Sequence, residues 1–251
     1  MIAGAGGEVL SVLHVHAGRD VGGGREARAH REARAGREGR ADREGRAGQE
    51  GRAGQEQALL LARELEGSEG VRQTVATRPD GPLAAAVRAV GVEVRPLSWR
   101  LPFDPRAVVG LSRAAVRRDL LHAHSSDALL VAVAALALSG APCRLVASRR
   151  TPLPPRSPWV WRRADVVLAV SPDVAGALVR SGLERRRVRV VQDGIDPDDV
   201  HPSGTAAAMA AGTLRAYREV VARDRALREH LRRQERAARR RRARPPGGSG
   251  A

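Results

Sequence analysis

The chain has 251 residues, enough for one large domain or two small ones, and its hydrophobic fraction of 42% can supply a core. Its aromatic fraction of 2% excludes the base-stacking surface with which single-stranded nucleic acid is usually bound. The formal charge of +16 comes from arginine alone, because the sequence contains no lysine, and we interpret it as compositional bias rather than as a phosphate-binding feature.

The chain opens with a strand-like run that ends in glycines. Val9 to His16 is apolar and rich in valine, and Gly18 and the cluster Gly22, Gly23 and Gly24 follow it. In an open α/β sheet, ligands bind beyond the carboxyl ends of the strands, and glycines allow close approach of the backbone to a phosphate. The spacing is neither that of a dinucleotide fold nor that of a P-loop, so by itself the cluster predicts a loop.

A repetitive segment follows at once. Residues 25–54 read REARAH, REARAG, REGRAD, REGRAG and QEGRAG. A six-residue period turns about 240° around a helix, so no helical face of this segment is apolar. The segment is predicted to be a solvated insertion, either a frayed helix or a disordered loop.

The remainder of the chain alternates between strand-like and helix-like segments, which predicts a parallel sheet covered on both faces. Asp104 and Ser171 are expected to cap the helices that follow them. The predicted strands are 9–16, 71–77, 92–97, 120–124, 143–148, 166–170 and 188–191, and the predicted helices are 57–65, 82–90, 105–117, 127–138, 172–181 and 214–244.

Two histidines end the fourth predicted strand. His122 and His124 point the same way, because they are two residues apart on a strand. Zinc would need a third ligand, which the neighbouring sequence does not offer, and the lone Cys143 excludes a thiolate site, so no metal is predicted. Either histidine could be structural, but His124 is the better candidate for a hydrogen bond to a sugar or phosphate.

Charged residues follow two other strands. Arg149 and Arg150 come after the fifth strand, where an exposed charge and a phosphate contact are both plausible. Asp165 is expected to cap its strand or to pair with Arg162 or Arg163. Residues 193–196, Asp-Gly-Ile-Asp, are typical of a turn or hinge.

The C-terminal region is strongly basic. Thirteen arginines and four acidic residues lie between Arg215 and Arg244, and residues 245–251 are expected to be disordered. Such a run is usually a solvated extension, and contact with an anionic membrane or with nucleic acid is the alternative, of which nucleic acid is the less expected partner. The longest apolar run, Ala128 to Leu138, is too short to span a bilayer, and no secretory signal is visible, so a cytoplasmic location is expected.

These segments together resemble the N-terminal, acceptor-side domain of GT-B-fold glycosyltransferases of family 4. The resemblance rests on five segments in order, which are VLHVHAG with its glycines and QEQALLLARELEG, VATRPDGPLAAAVRAVGVEVRPL, DLLHAH, RRADVVLAVS and VRVVQDGID. It implies a doubly wound Rossmann-like domain formed by residues 1–24 and 55–202, interrupted by the insertion at 25–54. Residues 203–244 would form a helix that returns to this domain and continues into the arginine-rich tail.

The resemblance also implies a function. Gly22, Gly23, Gly24 and His124 match positions that face the donor diphosphate and the interdomain cleft, and Arg149 and Arg150 are the added candidates for substrate binding. The partners would be a nucleotide-sugar and a glycosyl acceptor, with no cofactor. Only about fifty residues follow QDGID, too few for the family's donor domain, so we expect an incomplete glycosyltransferase that works with a separate donor-domain chain. The alternatives are a non-catalytic acceptor-binding module and a nucleic-acid or membrane-surface binder, peripheral to the inner face of the membrane.

Overall fold

A parallel sheet of seven strands organises the chain. The structure, a computed structural model, describes residues 9–17, 53–101, 103–155, 157–194 and 205–243, with side chains through residue 236. The strand order is β3-β2-β1-β4-β5-β6-β7, and every pairing is parallel. The strands are β1 (Leu10–Val15), β2 (Val71–Thr77), β3 (Glu93–Pro96), β4 (Leu120–Ala123), β5 (Arg144–Arg149), β6 (Val166–Ala169) and β7 (Val188–Val190).

Seven helices of the described residues cover the two faces of this sheet. The predicted doubly wound α/β fold is therefore confirmed, and the strands lie close to their predicted positions. The last helix begins at Ala206 rather than at the predicted residue 214, and the four-residue helix Pro158–Trp161 was not predicted. The helices are α1 (53–65), α2 (Pro82–Ala89), α3 (Pro105–Ala115), α4 (Ser126–Ser139), α5 (Pro158–Trp161), α6 (Pro172–Arg180) and α7 (Ala206–Ala243), and a short 3-10 turn spans Arg185–Arg187.

The alternation of side chains along β1 divides the core in two. Leu13 and Val15 pack on the face covered by α3, α4, α5 and α6, whereas Leu10 and Val12 pack against α1 and α7. This division follows from the two-residue period of a strand, which sends neighbouring side chains to opposite faces. His14 shares the parity of Val12, so it belongs to the face that α7 covers.

Helix capping follows the sequence closely. Asp104 accepts a hydrogen bond from the backbone N–H of Arg106 at 2.9 Å, and Ser171 accepts one from Val174 at 3.3 Å. Both predicted caps are confirmed, and Ser125 caps α4 in the same way through Ala128 at 3.2 Å. The cap side chains fix where each loop turns into a helix at the carboxyl edge of the sheet.

The prediction for Asp165 was wrong. Its carboxylate accepts a hydrogen bond from the backbone N–H of Leu145 at 2.8 Å and pairs with Arg144 at 3.1 Å, on the neighbouring strand. The sequence neighbours Arg162 and Arg163 are not its partners. Because β5 and β6 pair in parallel register, residues near their amino ends meet across the sheet.

The long helix α7 divides into a packed part and an exposed part. Met209, Tyr217, Val220 and Val221 are buried against β1, β4 and β6. Beyond Arg223 the described side chains are mostly exposed, and Leu227 and Leu231 are about half exposed. Within the part of the chain that the structure describes, no helix combines the length and apolar character needed to cross a membrane.

Some predictions fall outside the described residues. These are the glycine cluster, residues 25–52 of the repeat, residues 195–204 of the hinge and following segment, and the last residues from 244 to 251. The final two residues of the repeat, Ala53 and Gly54, are described and belong to α1, so the helix extends further toward the N-terminus than the predicted start at Gln57.

Candidate functional site

Four histidines form a buried cluster where β1 and β4 end. His14 and His16 come from the first strand and the residue after it, and His122 and His124 come from the fourth strand and the residue after it. Each has a relative exposure of 2% or less. His14 lies beside His122 in the parallel register, so the matching H-x-H spacings bring the two pairs together.

The rings of this cluster are in direct contact. His14 Nδ1 and His124 Nε2 are 3.1 Å apart and share a hydrogen bond, whose direction depends on the tautomers. The rings of His122 and His124 have centroids 3.9 Å apart, which confirms that the two side chains point the same way. The ring of His124 is therefore held between two other imidazoles inside the domain.

Tyr217 of α7 ties this cluster to the C-terminal helix. Its hydroxyl is hydrogen-bonded to His122 Nδ1, and the other ring nitrogen, Nε2, is hydrogen-bonded to Ser148 Oγ at 2.8 Å. Both nitrogens of His122 are thus satisfied, as a structural histidine requires. Burial raises the pKa of Tyr217 well above its usual value, so the hydroxyl keeps its proton.

Burial keeps the histidines neutral. Desolvation lowers the pKa of His14 from 6.5 to about 4, with a contact to Gln73 opposing the shift. The pKa values of His122 and His124 are also well below the usual value, first because of burial and then because of positive neighbours that include His14 and Arg150. At neutral pH, His14, His122 and His124 are therefore hydrogen-bonded without carrying charge.

Arg150 lies at the outer side of the cluster. Its Nε binds the carboxylate of Asp193 at 3.0 Å, and its Nη1 donates to the backbone carbonyl of His124 at 3.1 Å. One guanidinium thereby joins the residues that follow the carboxyl ends of β4, β5 and β7. Burial raises the pKa of Asp193, and the charge of Arg150 opposes this shift.

The first turn of α1 packs against the same place. A Cβ added at Gly54 would lie 2.8 Å from the carbonyl oxygen of His124 and 3.4 Å from His16 Nε2. Gln57 is hydrogen-bonded twice to the backbone of Gly194, with its amide nitrogen donating at 2.8 Å and its amide oxygen accepting at 2.9 Å. The start of α1 and the residue after Asp193 are therefore fixed relative to each other.

Arg149 is placed differently from Arg150. Its guanidinium lies 5.1 Å above the ring of Trp161 and donates to the carbonyl of Leu153 at 2.9 Å and to Ser126 Oγ at 3.3 Å. The residue is 5% exposed, so it braces the loop after β5 from inside. The structure does not bring Arg149 and Arg150 to one binding surface, because successive strand residues face opposite sides.

The histidines also provide a possible metal-ligand set, which the sequence argument had missed. Ligand atoms of His14, His122 and His124 lie within 4.8 Å of one another, so the third ligand that the neighbouring sequence lacks comes from β1. Zinc commonly takes neutral imidazoles. However, both nitrogens of His122 are occupied by Tyr217 and Ser148, and a metal would have to displace one of these bonds. The donor set fits a hydrogen-bonded network better than a metal centre.

The space next to the cluster is small. A cavity of about 10 Å³ touches His122, His124, Ser148 and Arg150. Such a volume holds about one water molecule. A sugar or diphosphate therefore does not fit among the histidines as they stand, and any such ligand would contact the outer side, at Arg150 and the start of α1.

From the sequence, His122, His124 and Arg150 were candidate site residues and Asp193 was expected only in a turn or hinge, whereas other participants were missed. His14, His16 and Tyr217 complete the cluster, and Gln57 holds the segment after β7. One signal was available, because VLHVHAG and DLLHAHSS carry the same H-x-H spacing at the ends of two strands. Tyr217 had no comparable signal beyond its place on an apolar helix face.

A known protein family matches more than half of the chain. Residues 54–199 match the family model described as Glycosyltransferase Family 4. The match begins at Gly54, so β1 and its histidines lie outside it, although β1 occupies the centre of the sheet. No curated protein sequence matches the chain at a significant level.

Solved structures share the architecture at low sequence identity. Anabaena HepE in complex with UDP and glucose has a TM-score of 0.51 and 17% identity, over 75% of this chain and 46% of that chain. The same protein with UDP-glucose gives 0.51 and 16% over 75% and 45%, and a glycosyltransferase from Rickettsia africae ESF-5 gives 0.50 and 13% over 77% and 47%. At these identities the likeness establishes the fold, and the chain spans about half the length of each structure.

Proposed function

Because the chain belongs to Glycosyltransferase Family 4, we propose that it is the acceptor-side half of a retaining GT-B glycosyltransferase. In this proposal a sugar moves from a nucleotide diphosphate to an acceptor hydroxyl. The bond between the anomeric carbon and the diphosphate oxygen breaks, a bond to the acceptor oxygen forms, and the proton of the acceptor hydroxyl passes to the departing diphosphate. The protein contributes orientation of the two substrates and stabilisation of the negative charge on the departing diphosphate.

The observation that carries the proposal is the junction of three strand ends through one arginine. Arg150 joins the carbonyl of His124 to Asp193, beside the close contact of Gly54 with β4. Carboxyl ends of parallel strands are where α/β proteins bind ligands, and a guanidinium suits an oxyanion. Arg150 Nε and Nη1 are already engaged, so a diphosphate would use the other N–H groups of the five that arginine carries.

The remaining predicted site residues take different parts in this proposal. Gly22, Gly23 and Gly24 would offer their backbone to the diphosphate. His124 would act through position, since its carbonyl orients Arg150 while its ring is buried against His14. Arg149 would support the loop after β5 without contacting substrate, because its guanidinium is held by Leu153 and Trp161.

The described residues form one Rossmann-like unit, and the proposal assigns the nucleotide-sugar to a donor domain outside these residues. The alternative is a non-catalytic module that only binds the acceptor. A donor-dependent transfer reaction distinguishes the two. Contact with an anionic membrane through residues 203–244 remains a prediction.

The test combines calorimetry with a product assay. The chain alone is titrated with UDP-glucose and other nucleoside diphosphate sugars, and then again in the presence of a family donor domain. We expect weak or undetectable binding by the chain alone and sugar transfer only in the combined sample. Arg150→Gln should lower transfer by about a hundredfold, which is the loss expected for one oxyanion contact. Arg163→Gln is the control, because it removes the same charge from an exposed position outside the proposed site and should leave transfer unchanged.

Two outcomes would contradict parts of this proposal. Tight binding or turnover by the isolated chain would show that no separate donor domain is needed. Absence of transfer in the combined sample, with acceptor binding unaffected by Arg150→Gln, would leave the non-catalytic module as the better description.

A further inference from the structure

A second and larger cavity lies at the opposite, amino edge of the sheet. Its volume is about 170 Å³, and it is bounded by the residues that precede β4 and open β5 and by the middle of α7. This edge lies away from the carboxyl ends where the proposed glycosyl site is located. The lining residues are Arg118, Asp119, Pro142, Arg144, Val221, Asp224, Arg225 and Arg228.

The lining of this cavity carries an excess of positive charge. Four guanidinium groups face two carboxylates, which leaves a surplus of two positive charges. The carboxylates are already engaged, since Asp224 binds Arg228 at 2.7 Å and also pairs with Arg144. Asp119 accepts a hydrogen bond from the backbone N–H of Ser11 at 2.8 Å. The residues that line the cavity therefore carry a net positive charge, part of which Asp165 offsets from outside the lining by pairing with Arg144 at 3.1 Å.

Donor groups at the cavity exceed the acceptors that the protein supplies. A guanidinium has five N–H donors. Arg118 donates to Ser11 Oγ at 3.2 Å, and Arg228 donates to the carbonyl of Pro142 at 3.0 Å. Arg144 Nε is buried and has no hydrogen-bond partner among the described residues. A buried donor in this state is costly unless an acceptor reaches it.

Size and polarity together select a class of ligand. A volume of about 170 Å³ exceeds the roughly 30 Å³ share of one water molecule several times, so a tetrahedral oxyanion fits inside with some water. Arginine binds phosphate through paired N–H···O bonds that are short and charge-assisted. An apolar ligand would leave the buried Nε of Arg144 without an acceptor.

We propose that this cavity is a phosphate-binding site, built by Arg118, Arg144, Arg225 and Arg228 between the amino edge of the sheet and α7. The site is separate from the proposed glycosyl site and does not depend on its activity. The competing explanation is that these arginines only hold α7 on the sheet through their pairs with Asp224 and Asp165.

The phosphate group could belong to free phosphate or to a lipid headgroup, and vesicles distinguish these sources. Sedimentation is carried out with phosphatidylglycerol vesicles and with phosphatidylcholine vesicles. If the headgroup is the ligand, a cavity variant should bind phosphatidylglycerol more weakly than wild type does, and free phosphate should compete. If free phosphate is the ligand, wild type and variant should sediment equally.

The primary experiment is a calorimetric titration of the full chain with inorganic phosphate at constant ionic strength in chloride buffer. The cavity variant is the double change Arg118→Gln and Arg225→Gln. The matched control is Arg232→Gln with Arg236→Gln, which removes the same charge from exposed positions of α7 outside the cavity. We expect phosphate binding by wild type, binding at least about tenfold weaker in the cavity variant, and no change in the control.

Arg225→Gln alone serves if the double variant fails to fold, because Arg225 is exposed and its loss leaves the ion pairs of Asp224 intact. This single change should also weaken phosphate binding. No heat of binding for wild type above the chloride background would overturn the proposal, and so would equal weakening in the cavity variant and the control.

Discussion

His124 illustrates how a residue at a strand end can be buried even though its place in the chain points to a cleft. The residue is 2% exposed, and its ring shares a hydrogen bond with His14 and lies tilted against His122. The sequence alone favours an accessible ring at this position, because residues after a parallel strand usually reach toward ligand. The start of α1, which approaches the carbonyl of His124, covers it here.

Replacement of His124 by alanine should therefore lower stability. We expect a loss of about 1–3 kcal/mol in the free energy of unfolding, since the change strands a buried nitrogen of His14 and leaves a space. Urea unfolding followed by circular dichroism measures it. His230→Ala provides the control, because His230 is exposed on α7 and its removal should be nearly neutral. An unchanged midpoint for His124→Ala would show that the ring is accessible after all.

The neutral histidines predict a dependence of stability on pH. The folded chain binds protons at these rings only at low pH, whereas the unfolded chain binds them near pH 6.5, so stability is lost as pH falls below about 6.5. With its pKa lowered from 6.5 to about 4, His14 alone accounts for about 2 kcal/mol lost between pH 7.5 and pH 5. Thermal melts across this interval measure the slope.

The substitution His14→Gln isolates this contribution. The variant should be less stable than wild type at pH 7.5, but its stability should fall less between pH 7.5 and pH 5, because one buried titrating group is gone. A slope equal to that of wild type would place the pH dependence in other residues.

Among the secondary-structure elements, the first turn of α1 depends most on a single small residue. Gly54 lies so close to the end of β4 that a methyl group would meet the His124 carbonyl at 2.8 Å. The backbone of β4 is paired on both sides and yields little. The helix can therefore keep its place only with glycine at this position.

Two glycine-to-alanine changes should consequently have opposite effects. Gly54→Ala should cost about 1–3 kcal/mol, because the added carbon forces the helix or the strand to shift. Gly176→Ala in α6 meets only the end of the flexible Arg180 side chain, at 3.1 Å, and should raise stability by up to about 1 kcal/mol through helix propensity. Chemical denaturation of both variants compares them directly. If both changes shifted the free energy of unfolding in the same direction, the result would contradict the close approach of α1 to β4.

The sequence predicted the elements better than the contacts between them. All seven strands were predictable because their signal is local, as in Val166–Ala169 with its run of apolar residues. The start of α1 was not, because Ala53 and Gly54 continue a repeat that lacks an apolar face. The partner of Asp165 was not predictable either, since Arg144 is 21 residues away in sequence and becomes its neighbour only through strand order.

The residues of the candidate site were also easier to predict than the contacts that they make. His124 and Arg150 follow from their places after strands, but the covering of His124 and the inward turn of Arg149 depend on tertiary packing. Arg149 is buried because Trp161, from a one-turn helix that the sequence analysis did not identify, lies beneath its guanidinium.

At the scale of the whole molecule, α7 completes the core of one face of the sheet. Four large side chains of its first half, Met209, Tyr217, Val220 and Val221, are buried there. Burial of such groups is worth about 1.5–3 kcal/mol each, so together they match a large part of the total stability of a typical domain. The described side chains from 229 to 236 bury little.

Two truncations should then behave differently. A chain ending at residue 228 should melt within a few degrees of the full chain, because the removed part contributes few contacts. A chain ending at residue 204 loses α7 and should be unfolded or aggregated, with the histidine cluster left open. Thermal melts and gel filtration measure both. A cooperative transition in the shorter chain would show that α7 is not part of the core.

The central position of β1 also has a consequence for biosynthesis. The backbone N–H of Ser11 bonds to Asp119, which lies 108 residues later in the sequence. Tyr217, which is hydrogen-bonded to His122, follows that histidine by a further 95 residues. A ribosome adds roughly 5–20 residues per second, so the first strand to emerge stays without its β4 neighbour for roughly 5–20 s. Contacts this remote along the chain slow folding and expose an apolar strand in the meantime. The nascent chain is therefore expected to depend on chaperones until its last helix has been made.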